Sequence, residues 1–271
     1  MHLSPFGIPN IISIKLKLFF RKYGQGRPLI ILHGLFGQSD NWNTLAKQFA
    51  ENDLEVYTVD LRNHGLSPWS TEWNFKVMSE DIIELIEDQK LRDPILLGHS
   101  LGGKVAMQLA LDHPDLVTKL LVVDISPKEY RGKNDTTLKG LLSADLSVLR
   151  TRKEVEVKLA EHIKSKATLQ FIAKNLYWKN KDELAFRFNL DVIAKNFAKA
   201  GDPISSGEKK FDRAAVFIRG ENSDYLSGSD LPEIKKAFPA AALITINGAG
   251  HWVHADKPKE FFEEVIKILA D

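Results

Sequence analysis

The sequence predicts an α/β protein built on a mostly parallel, doubly wound sheet. Short apolar runs recur along the chain, each bounded by turn residues, as in PLIILHG at 28–34 and PILLGHS at 94–100. Segments with the apolar spacing of a helix separate these runs. The alternation stops at Ser126 and resumes at residue 214. Because alternating strands and helices favour parallel pairing with helices on both faces, we expect one such sheet with an insertion.

Six apolar runs are the candidate strands of this sheet. They are almost continuously hydrophobic, which is typical of parallel strands that are buried on both faces. The runs are 28–34, 55–60, 94–100, 119–126, 214–220 and 241–248. Near the N-terminus, Ile12, Ile14, Leu16 and Leu18 alternate with mostly polar residues, and this period of two predicts a further strand.

Helices are expected between the candidate strands. The sequence His113-Pro114 ends one of them, because the residue before a proline disfavours the helical conformation. The predicted helices are 43–51, 76–89, 101–112, 232–238 and 258–270.

Residues 128–213 are the expected insertion, which leaves residues 1–127 and 214–271 for the sheet domain. Helical periodicity runs through VEVKLAEHIKSKATLQFIAKNL, and no apolar run there matches the candidate strands in quality. We therefore expect an α-helical cap folded over the sheet. The segment holds 19 Lys and Arg against 12 Asp and Glu. This excess is typical of solvated helix faces, and it would also suit a positive cover over a site for anionic substrates.

Composition narrows the classes of protein to consider. The 271 residues, 44% of them hydrophobic, can bury a sizeable core. With 37 Lys and Arg against 36 Asp and Glu, the chain lacks the basic excess of a nucleic-acid binder. No apolar run reaches the roughly 18 to 20 residues of a membrane span. The absence of cysteine excludes disulfides, thiolate metal sites and a cysteine nucleophile, and it suits a cytoplasmic location.

The stretch GHSLG at 98–102 is the principal candidate for chemistry. It follows a predicted strand and opens a predicted helix, the context in which a G-x-S-x-G pattern displays a nucleophilic serine. Glycines relieve the crowding of so sharp a turn, so that Ser100 can adopt a strained conformation. Its hydroxyl would then face the positive end of the helix. An ordinary strand-to-helix turn is the alternative.

A serine hydroxyl needs a base, which is usually a histidine oriented by a carboxylate. His251 follows the last predicted strand on a glycine-flanked loop, at the sheet edge where the strand before Ser100 also ends. His254 is a competitor that we expect to be structural. His33 and His64 occupy loops on the same edge, where we expect them to hold the backbone by hydrogen bonds.

A tetrahedral intermediate also needs two donors for its oxyanion. The backbone N–H of Leu101, immediately after the candidate nucleophile, is one. The loop HGLFG after the run LIIL supplies the other from Leu35, and its glycines let the backbone approach.

Several motifs together carry a family resemblance. HGLFG, DLRNHGLSP, GHSLGGK, VVDISP, the RGENS turn and NGAGHWVHADKP resemble the α/β-hydrolase superfamily, and more narrowly its small esterase branch with the bacterial YbfF-type esterases and the ABHD11-like proteins. The match covers residues 28–126 and 214–271, the catalytic domain, and is weak in the cap. The resemblance implies a nucleophile, a base and two oxyanion donors at residues already chosen: Ser100, His251, Leu35 and Leu101.

The acid departs from the commonest pattern of the superfamily. That pattern places an Asp three residues beyond a glycine, and counting from Gly220 reaches Ser223, with Asp224 one residue late. The branch that the chain resembles implies Asp124 of VVDISP instead. Ser223 is then a candidate for bridging to or orienting the histidine. The alternative for Asp124 is a turn carboxylate that caps local N–H groups.

The predicted reaction is hydrolysis of a small-molecule carboxylic ester, with acyl-CoA thioesters as a further candidate, through an acyl-enzyme on Ser100. No metal or organic cofactor is implied. Carbon–carbon bond hydrolysis, and binding of a small ligand with little turnover, are the alternatives. Candidate walls of an apolar pocket are Phe36, Trp69, Trp178 and Trp252, although such residues are often ordinary core.

Overall fold

The computed structural model describes residues 16–132, 135–205 and 207–270. Seven of its strands form one sheet, in the order β1-β3-β2-β4-β5-β8-β9, and β6 pairs with β7 alone. Every neighbouring pair in the large sheet is parallel except β1 with β3, so the prediction of a mostly parallel sheet is confirmed. The strands are β1 (Phe20–Tyr23), β2 (Arg27–Leu32), β3 (Leu54–Val59), β4 (Ile95–His99), β5 (Lys119–Val123), β6 (Leu176–Trp178), β7 (Leu184–Phe186), β8 (Ala214–Gly220) and β9 (Ala241–Ile246).

Helices cover both faces of the sheet. Helices α1 and α10 pack on one face, and α2, α3 and α8 pack on the other. No helix in the described part of the chain combines the length and apolarity needed to cross a bilayer. The α-helices are α1 (Asn43–Ala50), α2 (Phe75–Asp88), α3 (Leu101–Asp112), α4 (Asp135–Ser143), α5 (Arg152–Ala160), α6 (Lys166–Ala173), α7 (Leu190–Asn196), α8 (Leu231–Ala237), α9 (Val253–Asp256) and α10 (Pro258–Ala270).

The inner strand β2 shows why the apolar runs are continuous. Leu29 and Ile31 pack into the core under α1 and α10, whereas Ile30 and Leu32 pack into the opposite core. All four side chains are fully buried. Since side chains alternate between the faces of a strand, burial on both faces requires an apolar residue at every position.

The N-terminal strand lies later in the chain than predicted. Of its expected residues, Ile12 and Ile14 fall outside the described part, and Leu16 and Leu18 belong to no regular element. Strand β1 begins at Phe20, which pairs with Val59 at the end of β3. One further backbone hydrogen bond, from Asp60 N–H to Phe19 O at 2.9 Å, continues this pairing, whereas Phe19 N–H donates to Ser67 Oγ in a loop.

The inserted segment, residues 128–213, lies between β5 and β8. It contains α4 to α7, as its helical periodicity predicted, and also the antiparallel hairpin of β6 and β7, which the sequence analysis did not predict. Each hairpin strand has three residues, too few for an alternating pattern to be recognised. The chain enters and leaves this segment side by side, because Tyr130 N–H donates to Gly201 O at 2.8 Å and Ile204 N–H donates to Pro127 O at 2.8 Å.

Candidate active site

Ser100 occupies a sharp turn between β4 and α3. Its backbone has φ 52° and ψ −115°, a conformation that costs free energy for a residue with a Cβ. Its N–H donates to Val123 O at 3.0 Å, which ties the turn to β5. A Cβ on Gly98 would collide with the carbonyl of Gly102, and one on Gly102 would collide with Leu32 O. The glycines therefore permit the close packing that holds Ser100 in place.

His251 is oriented by a buried carboxylate. Its Nδ1 lies 2.8 Å from Asp124 Oδ2, and because a carboxylate accepts, Nδ1 carries the proton and Nε2 is free to act as a base. Asp124 is fully buried and has φ 52°. Its Oδ1 accepts from Gly220 N–H at 3.0 Å, and Ser223 Oγ donates to Oδ2. The structure thus brings Ser223 to Asp124, the candidate acid, while Asp224 is exposed.

Two residues that the sequence analysis did not assign to the site contact His251. Tyr225 stacks on it with ring centroids 3.8 Å apart and planes 19° apart. His99 Nε2 donates to His251 O at 2.9 Å, and burial lowers the pKa of His99 well below its usual value. Tyr225 belongs to no recognisable sequence motif, so its contact with His251 is evident only in the folded chain.

The two predicted oxyanion donors lie on adjoining backbone. Gly102 N–H donates to His33 O at 3.1 Å, which joins the start of α3 to the loop after β2. Among the described residues, no protein atom accepts a hydrogen bond from the backbone N–H of Leu35 or of Leu101. In a protein interior nearly every N–H is paired, so two unpaired donors beside Ser100 are available to a ligand.

Two cavities meet at Ser100 and Leu35. The larger, about 150 Å³, continues past Tyr130 and Phe197 of the inserted segment. The smaller, about 30 Å³, also contains His251 in its wall. The described hydrogen bonds do not include one from Ser100 Oγ to His251 Nε2, a contact that is often long until substrate binds. Ser100, the candidate base His251 and the candidate oxyanion donor Leu35 therefore line one cavity.

The predicted pocket walls divide into two groups. Phe36 and Trp252 line the smaller cavity. Trp69 and Trp178 are 58% and 47% exposed, and they are not among the residues that line either cavity. Trp178 ends a hairpin strand and Trp69 lies in the loop before α2, and residue type alone does not reveal the direction in which such side chains point.

The other histidines of this edge serve the packing of loops. His33 Nε2 accepts from Leu61 N–H at 3.0 Å, and His64 Nε2 accepts from Phe36 N–H at 3.2 Å. Burial lowers the pKa of His33 to about 4 and that of His64 to about 3. His254 stacks on Trp42 at 4.1 Å between centroids, and burial lowers its pKa to about 3. All three rings are neutral at pH 7, in keeping with structural roles.

A buried lysine joins α3 to the inserted segment. Lys104, one turn after Ser100, donates from Nζ to Lys128 O at 2.9 Å and to Asp202 O. Its ammonium lies 5.0 Å from the ring centroid of Tyr130. Burial lowers the pKa of Lys104 to about 7. Lys104 thus links both ends of the inserted segment to α3, the helix that begins directly after the candidate nucleophile.

The arrangement of sheet, serine turn and His–Asp pair is typical of one large family of hydrolases. A family profile described as the alpha/beta hydrolase fold matches residues 27–258, and the chain belongs to that family.

Three relatives place the chain within it. It is 36% identical to the Mus musculus protein named sn-1-specific diacylglycerol lipase ABHD11, over 89% of this chain and 80% of that protein. It is 32% identical to esterase YbfF of Escherichia coli K12, over 90% and 93%. A solved structure described as a marine microorganism esterase has a TM-score of 0.90 and 40% identity, covering 93% of this chain and 99% of that one. The predicted resemblance to the YbfF and ABHD11 branch is confirmed.

Proposed function

We propose that the protein is a serine esterase that hydrolyses carboxylic esters through an acyl-enzyme on Ser100. The observation that carries the proposal is the 2.8 Å contact of His251 Nδ1 with Asp124, beside a cavity that His251 shares with the strained Ser100. Relatives named as an esterase and a lipase, each aligned over most of their length, support ester substrates.

In the acylation step, Ser100 Oγ attacks the ester carbonyl carbon while His251 Nε2 takes the hydroxyl proton. Negative charge develops on the carbonyl oxygen, where the N–H groups of Leu35 and Leu101 stabilise it. The imidazolium that forms is stabilised by Asp124. Collapse of the intermediate breaks the bond to the alcohol oxygen, which takes the proton from His251 and leaves.

In the second step, water replaces the alcohol. His251 Nε2 removes a proton from water as its oxygen attacks the acyl carbon, and the same two N–H groups bind the second oxyanion. The proton then returns to Ser100 Oγ as the acid leaves. In the neutral ring that acts as the base, the hydrogen bond from Nδ1 to Asp124 selects the tautomer in which Nε2 carries the lone pair.

We also propose that the inserted segment is the cap of this site. Its residues Tyr130, Phe171 and Phe197 contribute to the walls of the two cavities at Ser100. A cover of this kind excludes water and gives the acyl group an apolar surface. The excess of lysine in the segment leaves acyl-CoA thioesters as a second substrate class to be tested beside esters.

The direct test is labelling by a fluorophosphonate, which reacts with an activated serine. We expect the wild type and the control Ser147→Ala, an exposed serine of the inserted segment, to be labelled and to hydrolyse p-nitrophenyl esters. Ser100→Ala should lose labelling and activity while its thermal midpoint is kept, since the change removes one oxygen. Aryl esters of increasing acyl length, run beside the matching acyl-CoA thioesters, define the substrate class.

Three outcomes would contradict the proposal. Activity of Ser100→Ala within about tenfold of the wild type would remove Ser100 as the nucleophile. Failure of the probe to label Ser100 would favour a binding protein. Labelling of Ser100 without hydrolysis of any ester would favour carbon–carbon bond hydrolysis.

A further inference from the structure

The loop that carries Leu35 contains a strained residue. Phe36 has φ 62°, which lies in the left-handed region that residues with bulky side chains rarely adopt. Its side chain is buried. Gly37 N–H donates to Gly34 O at 2.9 Å and closes residues 34–37 into a turn, which we term the oxyanion loop. A strained backbone of this kind persists only where its surroundings hold it, and such residues cluster at functional sites.

Both polar groups of Phe36 are held by side chains distant in sequence. Its N–H donates to His64 Nε2 at 3.2 Å, and its carbonyl accepts from Asn175 Nδ2 at 2.9 Å. Its ring lies against Phe188 and Phe197, with centroids 5.1 and 6.5 Å away. Three of these four contacts come from the inserted segment. The conformation of the oxyanion loop therefore depends on residues outside the sheet domain.

Asn175 is placed as a donor rather than as a general stabiliser of the fold. It is fully buried just after α6, and its Nδ2 group donates to Phe36 O and, at 3.2 Å, to Phe171 O. Both partners are carbonyls, so the orientation of the amide is determined. Its Oδ1 is buried and has no partner among the described residues. Among the described residues, the hydrogen bonds of this side chain are therefore those that its NH₂ group donates.

We propose that Asn175 is a positioning residue that sets the Leu35 N–H for the oxyanion of the transition state. Asn175 holds the carbonyl of the Phe36–Gly37 peptide group, and the N–H of the same group donates to Gly34 O, which shares a peptide plane with the Leu35 N–H. The hydrogen bond from Asn175 therefore acts through one peptide group on the direction of the Leu35 N–H. This inference rests on the proposed function. It gives the inserted segment a second task, because the segment that covers the substrate also completes the oxyanion-binding geometry.

The expected signature is a loss in kcat with little change in KM. An oxyanion donor binds the charge that develops during reaction and contributes little to the ground state. Asn175→Asp is isosteric but presents acceptors to two carbonyls, and Asn175→Leu keeps the shape without donors. We expect each to lower kcat by about 10- to 100-fold, since removal of a donor outright costs about 10²- to 10³-fold. KM should stay within about threefold of the wild type.

The control is a second asparagine that links the inserted segment to the sheet domain. Asn189 Nδ2 donates to Asn63 Oδ1 at 3.2 Å, and Asn189 Oδ1 accepts from Val192 N–H at the start of α7, so neither contact is with residues 34–37. Asn189→Ala removes both contacts and should change kcat less than about threefold. Thermal midpoints of all variants are measured together, and Asn175→Ser provides a smaller polar side chain if the first two variants do not fold.

A tetrahedral inhibitor separates positioning from loss of structure. An aryl trifluoromethyl ketone adds Ser100 Oγ and carries an oxyanion, whereas the matching methyl ketone binds as a ground-state mimic. Inhibition by the first should weaken in the Asn175 variants by the factor lost in kcat/KM, and inhibition by the second should not change. Equal changes for both ketones, or a kcat within threefold of the wild type, would overturn the inference. A wild type without esterase activity would instead overturn the proposed function.

Discussion

At the scale of single residues, Asp124 is the most constrained group of the site. It adopts a left-handed φ of 52°, and its carboxylate takes hydrogen bonds from His251, Ser223 and the N–H of Gly220. Its own N–H donates to Ile218 O at 2.8 Å on the neighbouring strand. So many contacts leave the carboxylate one orientation, and that orientation determines the tautomer of His251.

We predict that Asp124→Asn is far more damaging than Asp224→Asn. An amide at position 124 keeps the shape but favours the wrong imidazole tautomer, which in a well-studied serine protease lowers kcat about 10⁴-fold. Asp224 is exposed, and its replacement should cost less than about tenfold. Ester hydrolysis by the two purified variants is the measurement. A crippled Asp224→Asn beside an active Asp124→Asn would reverse the assignment of the acid.

The sequence identifies those residues of the candidate site that lie in local motifs. It does not identify the residues that reach the site only through tertiary contacts. Ser100 and His251 each follow a strand in a glycine-rich loop, so their neighbours in the chain mark them. Tyr225 and Asn175 are surrounded by no such pattern, and they reach the site because the loop after β8 and the inserted segment fold back over the sheet. Trp69 shows the converse, since its size suggested a pocket wall and the structure exposes it.

At the scale of elements, the junction of β4 and α3 depends on the absence of side chains. We predict that Gly98→Ala destabilises the protein by about 1–3 kcal/mol, because the added methyl must displace the backbone of Gly102. Gly228 is the matched control, since an added Cβ there has no atom within 4 Å. Gly228→Ala should change the free energy of unfolding by less than about 0.5 kcal/mol.

Urea unfolding of the two glycine variants measures this difference. Equal stability of the two would mean that the turn relaxes without cost and that the close approach of strand and helix is not required. Activity measured on the same samples shows whether Ser100 has moved with the backbone.

Elements were predictable where burial imposed a pattern on the sequence. The parallel strands of the sheet are apolar at most positions because both faces are covered, and this signal located them. Strand β1 is an edge strand that pairs on one side only, so its alternation of apolar and polar residues is weaker. For this reason the sequence did not predict that the strand begins at Phe20. The strands of the hairpin at 176–186 are too short to carry a period at all.

At the scale of the whole molecule, four buried histidines link stability to pH. Burial lowers the pKa values of His33, His64, His99 and His254 in the folded protein. Below about pH 6.5 the unfolded chain binds protons that the native protein does not, so stability is lost as pH falls toward about 4. Each histidine contributes a slope of at most about 1.4 kcal/mol per pH unit.

We predict that His254→Phe flattens this dependence. The aromatic ring keeps the stacking on Trp42, while one titrating group is removed. Between pH 6.5 and 4.5, the slope of the free energy of unfolding against pH should be smaller than in the wild type. The difference in slope should approach the contribution of one bound proton. Urea unfolding at several pH values tests this, and identical slopes for the two proteins would contradict it.

The hydrogen bond from Asn175 to the carbonyl of Phe36 also bears on how such proteins diversify. The two ends of the inserted segment lie side by side on the sheet domain. This geometry favours the exchange of whole segments between relatives, by recombination or by protein engineering. Under the proposed function, a transplanted segment that lacked a donor for Phe36 would bring a new substrate surface and remove the support of a strained loop at the same time. Chimeras should therefore be designed around the residues that meet Phe36, before the walls that meet the substrate are considered.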